Sequence, residues 1–166
     1  MSMIGAYFRV TAAGLARALE DPDSALAYIE EVLEAEAEAD PPPARARHFS
    51  TYKSWHLLDF LLKRSGFPVD VVHGEAPLGE SGDWGYGPPH HLAPDRVRRA
   101  AEALEVLTYD RLLDGVDPAE LVVAEVYPSS WNDREALEWG RYWFDGLRLY
   151  FRAAARDGDA VILWVH

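Results

Sequence analysis

Within five residues the chain places Trp55, His56 and Asp59. His56 and Asp59 stand three apart, so on a helix they share one face. A carboxylate so placed can orient an imidazole, as in a general base or a metal-bound histidine. The pair is therefore the weak candidate for catalysis. A metal site would need two further ligands. His48, His73, Glu75 and Asp83 have suitable side chains, but the sequence does not bring them together. The HExxH pattern and the nucleophile elbow are both absent. The plainer role of His56 and Asp59 is a hydrogen bond at a helix edge, and the sequence asks for no metal and no cofactor.

The stretch GDWGYGPPHHLAPDRV, residues 82–97, is the second candidate. Gly82, Gly85 and Gly87 permit backbone shapes closed to other residues. Pro88, Pro89 and Pro94 stiffen the chain on its way into the next element. Trp84 and Tyr86 offer flat amphipathic surface suited to a ligand or partner. His90 and His91 are adjacent, so on an extended chain they point to opposite sides and do not hold one metal together. A nucleotide-phosphate loop is strongly disfavoured, since no Gly-Lys-Ser/Thr occurs and the spacing fits no dinucleotide fingerprint. Two roles remain. The loop docks on the domain and leads into the next helix, or its aromatics and histidines form a binding surface.

Tyr127 and Trp131 frame YPSSW, placed at the end of an expected strand, where α/β proteins often present ligand-binding groups. The structural alternative is a strand stopped by Pro128 and a helix stapled by Trp131. Trp139, Tyr142, Trp143 and Tyr150 add aromatics beyond one helical stripe; those left exposed would mark dimerisation or partner binding.

These residues need elements to hold them. Met3–Val10 reads as a strand, and Thr11 caps a helix to about Leu19. Asp21-Pro22 opens another, which ends in acidic residues before Pro41-Pro42-Pro43. Lys53–Lys63 carries a leucine stripe and reads as a helix; Val69–Val72 reads as a short strand or a buried extended piece. Residues 73–94 read as one long loop, and Pro94 starts a helix. Thr108 and Asp117 look like further caps. Leu121–Tyr127 reads as a strand, Asn132 with Glu135 as a capping box, and 133–156 as the longest helix. Ala160–Val165 is a final strand. The expectation is one α+β domain over residues 1–166, of α/β-sandwich type. A small mixed sheet of about four short strands, including both chain termini, is covered by helices.

Several of these stretches together resemble the YfbM-like family of small bacterial proteins: MSMIGAYFRV, YKSWHLLDFLL, LGESGDWGYGPPHHLAPDRV, VAEVYPSSW and the closing AVILWVH. The resemblance spans nearly the whole chain. It implies a cytoplasmic bacterial α/β-type sandwich domain of unknown function, with no established catalytic residues to carry over.

Charge narrows the function classes. With 16 basic and 28 acidic residues the net charge is −12. Nucleic acid and anionic membranes are poor partners for such a chain, which lacks a basic face to replace counterions. A basic protein partner is compatible, with the acidic helix end (Glu30, Glu34, Glu38) as one surface for it. No cysteine is present, so disulfides and thiolate chemistry are excluded. The start lacks a signal-peptide pattern, and no run nears the ~20 apolar residues of a membrane helix. The cytoplasm is the expected compartment, and the protein a monomer or homodimer.

The reading is a non-enzymatic protein-binding or regulatory domain, of antitoxin or immunity kind among others. It would use Trp84, Tyr86, His90, His91, Trp55, Tyr127 or Trp131. A small-molecule-binding or hydrolase-like domain with a His/Asp/Tyr pocket is the alternative. The balance leans away from an enzyme because no complete catalytic constellation is visible.

Overall fold

Strands from the two ends of the chain form the middle of one sheet. The computed structural model describes residues 1–166. In chain order its elements are β1 Gly5–Val10, α1 Ala12–Glu20, α2 Pro22–Ala39, β2 His48–Tyr52, α3 Trp55–Arg64, β3 Ala76–Pro77 and β4 His90–Leu92. They continue with α4 Pro94–Glu105, α5 Tyr109–Leu113, α6 Pro118–Val123, α7 Arg134–Glu138, α8 Gly140–Arg156 and β5 Ala160–Val165. The strand order is β2-β1-β5-β4-β3. Gly5 pairs with Val165 and Val10 with Ala160, so the chain termini are tied together.

The α+β expectation holds, with two refinements. The sheet has five strands, and every neighbouring pair is antiparallel rather than mixed. The added strands are β2 and the short β3–β4 pair, the latter lying inside what reads from sequence as loop.

Both faces of the sheet are covered, which explains why AVILWV shows no polar alternation. Tyr7, Val161 and Leu163 point into a large core of 29 buried residues, built with α3 to α8. Phe8, Val10, Ile162 and Trp164 point the other way, into a core of 11 buried residues with Leu15 and Ala18 of α1, Ile29 of α2, and Leu78 and Trp84.

Most caps form as their residue types require. Thr11 Oγ1 accepts from Gly14 N–H at 3.0 Å, and Asp21 Oδ1 from Ser24 N–H at 3.2 Å. Leu121–Tyr127 is not a strand. Asp117 caps α6 through Ala119 N–H at 3.0 Å, and its own N–H donates to Glu120 Oε2 at 3.2 Å. That reciprocal cap outweighs the β-propensity of Val122 and Val123, whose side chains face solvent. Nor is Val69–Val72 a strand; it is a buried turn whose Val71 carbonyl accepts from the Tyr7 hydroxyl at 2.7 Å. The cap near 132 shifts by one residue: Asp133, not Asn132, accepts from Ala136 N–H at 2.7 Å. The long helix is split at Trp139 into α7 and α8.

Candidate functional site

α3 begins with Trp55 almost buried and His56 half-buried. The Trp55 indole N–H donates to Met3 O at 3.1 Å. Its ring stacks on His56 at 4.9 Å and on Tyr127 at 5.9 Å. His56 Nδ1 accepts from Tyr127 N–H at 2.8 Å. An imidazole nitrogen in that role is unprotonated, so His56 is neutral with its proton on Nε2. Burial, opposed in part by Asp59, lowers its pKa below 6.5.

Asp59 does not orient His56. Its Oδ1 lies 3.0 Å from Lys63 Nζ, one helical turn on, and its Oδ2 lies 3.5 Å from His73 Nε2. Burial pushes the Asp59 carboxyl up, but His73 and Lys63 together outweigh that and hold it below its usual range. In return the Asp59 carboxylate raises His73, against a smaller opposing effect of burial. The imidazole–carboxylate pair in this fold is therefore His73–Asp59.

His73 also joins regions that the sequence leaves apart. On one side it meets Asp59 and, edge-on at 5.8 Å, the Trp55 ring. On the other it lines a cleft of about 150 Å³ with Tyr86, Pro88, His90 and Leu163. α3 itself does not reach that cleft. Of the other residues with ligand-type side chains, Glu75 is engaged by Arg96 at 2.7 Å, and no three His, Asp or Glu side chains gather closely enough to hold a metal ion.

The residues 82–97 divide. Trp84 is buried against Trp164, edge to face at 5.6 Å. Tyr86 N–H donates to Val165 O at 2.8 Å and extends the sheet end, leaving the ring exposed. His90 and His91 lie in β4 and do face opposite ways. His90 is paired with Leu163 on the large-core side and His91 with Ile162 on the other. The loop is thus anchored through Trp84 and the Tyr86 backbone, and Tyr86, Gly87, Pro88 and His90 are what it offers to the cleft.

Tyr127 and Trp131 belong to an aromatic belt. Tyr127 O accepts from the Trp131 indole N–H at 2.8 Å, and Trp131 stacks on Trp139 at 5.7 Å. Trp139 meets Trp143 at 5.8 Å; Trp143 stacks on Tyr52 at 5.8 Å and meets Tyr142 edge-on at 5.0 Å. The belt starts buried at Trp55 and Trp131 and ends at the surface: Tyr52 is 39%, Trp139 42% and Tyr142 74% exposed. Tyr150, by contrast, is buried in the large core. Tyr52 escapes a sequence reading because it reaches the patch only through the end of β2.

Comparisons with known proteins place the whole chain. No functionally curated protein matches it. Among solved structures it is similar to YfbM from Escherichia coli, a protein of unknown function. The TM-score is 0.62 at 16% identity, over 98% of this chain and 99% of that one. That likeness is one of fold. No helix is long and apolar enough to cross a membrane. A family model described as a domain of unknown function, DUF1877, matches residues 1–164. With all but its last two residues matched, the chain belongs to the DUF1877 family.

Proposed function

We propose that the protein is a non-enzymatic binding domain that docks a basic, arginine-containing protein segment on the aromatic patch of Tyr52, Trp139, Tyr142 and Trp143. The exposure of three large aromatic rings, Tyr52, Trp139 and Tyr142, all packed on Trp143, carries this reading. Burial of such rings supplies most of the energy at protein interfaces, where Trp and Tyr dominate.

Charge selects the partner. The chain carries −12, and Glu135 and Asp145 beside the patch have no cation within 4 Å. Lys53 already sits 5.4 Å from the Tyr52 ring centroid, the position a partner's guanidinium would take over Tyr142 or Trp139. Tyr52 is held at φ 51°, a left-handed conformation rare for a bulky side chain. Such strain persists only where surrounding contacts impose it, and here it turns the ring toward Trp139 and Trp143.

The test is fluorescence anisotropy with a labelled Arg/Gly peptide and its Glu/Gly counterpart. The Arg peptide should bind and weaken with salt. Trp139→Ala with Tyr142→Ala should reduce its affinity by about tenfold or more in a variant that circular dichroism shows to be still folded at the assay temperature. Neutralising Glu30, Glu34 and Glu38 on α2 should change it far less. Equal binding of both peptides, or an affinity indifferent to the double substitution, rejects the proposal. So does a wild-type dimer that the same substitutions dissociate in sedimentation velocity, since a second copy then occupies the patch.

His73 at the cleft, with Asp59 paired behind it, favours a second reading, a small-molecule or hydrolase-like pocket. Hydrolysis of a nitrophenyl ester that is lost in His73→Gln supports it; a rate equal to buffer alone removes it.

A further inference from the structure

A cavity of about 230 Å³ opens between α1, α2 and the sheet, on the opposite face from the aromatic patch. Its floor is apolar: Val10 of β1, Ile162 of β5, Ala18 of α1, and Ala25 and Ile29 of α2. Arg17 and Arg47 stand at its edge with Tyr28.

Neither guanidinium has a carboxylate oxygen within 4 Å. The Arg47 guanidinium lies 5.6 Å from the Phe8 ring centroid and 5.8 Å from that of Tyr28, and it donates to the Tyr28 hydroxyl. Its backbone is fastened as well. Arg47 N–H donates to Glu36 Oε2 at 2.8 Å, and its carbonyl accepts from the Tyr150 hydroxyl at 2.6 Å. Arg47 is therefore a positioned cation with most of its five N–H donors unspent. The one carboxylate at the cavity, Asp21, is already occupied at the start of α2. It accepts from Ser24 N–H at 3.2 Å and from Ser24 Oγ–H at 2.7 Å. Asp21 keeps its charge, so two guanidiniums stand against one carboxylate at this apolar hole, a local positive excess on a chain with 28 acidic and 16 basic residues.

We infer that this cavity binds a small amphiphilic anion. Its apolar body would rest on Val10, Ile29 and Ile162, and its carboxylate or phosphate head would meet Arg17 and Arg47. Apolar walls with a few placed polar groups are the common make-up of ligand sites, and guanidinium forks match either oxyanion. The volume is below the ~300 Å³ at which drug-sized pockets begin, so the ligand is small.

The probes are octanoate, octyl phosphate, octanol and octylamine, followed by calorimetry and by amide shifts in two-dimensional NMR. Octanoate or octyl phosphate should bind and shift amides in 10–18 and 24–29, and whichever binds tighter identifies the head group. Octanol should bind at least about tenfold more weakly, and octylamine should not bind. Arg17→Gln changes an exposed side chain and leaves the fold intact; it should weaken anion binding several-fold. Arg47→Gln should weaken it further. Trp139→Ala with Tyr142→Ala should leave it unchanged, so this site and the aromatic patch stand or fall separately. The inference is overturned if neither anion binds, if octanol binds as well as octanoate, if both arginine variants keep wild-type affinity, or if the shifts map elsewhere.

Discussion

At the scale of single residues, Asp59 joins His73 to α3, and the two histidines near it are driven in opposite directions. His73 is raised by the Asp59 carboxylate, and His56 is lowered chiefly by burial. In a histidine titration by NMR, His73 should therefore titrate above 6.5 and His56 below it. Asp59→Asn should lower His73 by more than His56, because only His73 touches the carboxylate. The effects on stability differ in sign. The His73 contribution is complete below about 6.5, its unfolded value, and is lost as pH rises through its folded value. The His56 contribution is present above about 6.5 and is lost as pH falls through its folded value, because the unfolded chain takes up the proton first. Equal titration of both histidines near 6.5 would contradict this account. Residue types and spacing revealed part of the cluster. His56 and Asp59 could be placed on one helical face because that needs only a three-residue interval. Their true partners could not, since His56 takes its hydrogen bond from Tyr127, 71 residues away. Lys63 was accessible by the same helical logic, at four residues from Asp59.

At the scale of elements, caps and close approaches explain most of what holds the site in place. The starts of α1, α2 and α4 announce themselves through Thr11, Asp21 and Pro94. Their consequences are local, so the sequence reveals them. By contrast, β4 is only His90–Leu92, and it exists because β5 offers it a partner 70 residues later. No local propensity marks such a strand. Leu121–Tyr127 shows the converse: β-branched residues suggest a strand, but Val122 and Val123 stay 60% and 84% exposed on a capped helical turn. The α7–α8 junction depends on an approach that periodicity cannot show. A Cβ on Gly140 would lie 2.8 Å from Leu57 Cδ2 and against the Tyr109 hydroxyl, which donates to Leu137 O. Helix propensity alone would reward Gly140→Ala by about 1 kcal/mol. The clash should win, because Tyr109 and Leu57 are both buried and cannot swing aside. Gly140→Ala is expected to destabilise by roughly 1–3 kcal/mol, the usual cost of overpacking. Denaturant melts would show a lower midpoint with an unchanged slope; a stabilised variant would mean that Tyr109 moves freely. The loop makes a matching case. At Gly85, φ is 137° and a Cβ would meet His166 Cα at 2.6 Å, so Gly85→Ala should undock Tyr86 from Val165 and expose Trp84 to quenchers.

At the scale of the whole molecule, the sheet separates two unequal cores, and their inequality sets where the fold opens first. Twenty-nine buried residues lie on the α8 side and 11 on the α1–α2 side. α2 is 18 residues long but buries only Ile29 fully, and it spaces Glu30, Glu34 and Glu38 four apart. Like charges at that interval each oppose the helix by about 0.2–0.5 kcal/mol. The cavity under α1 and α2 removes further contact from the same layer. Local opening follows the density of buried contacts, so α1 and α2 should open below the global free energy, while β5 should open only with the whole domain. β5 pairs with both β1 and β4 and contributes to both cores. Native-state hydrogen exchange tests this ordering directly. Amides of residues 26–38 should exchange through a sub-global opening, those of 144–154 and 160–165 near the global limit. Raising salt from 0.05 to about 0.5 M shortens the Debye length to a few ångströms and should slow exchange in α2 selectively by screening its glutamates. Uniform protection across α2, α8 and β5, or an α2 indifferent to salt, would mean that the small core is held as firmly as the large one.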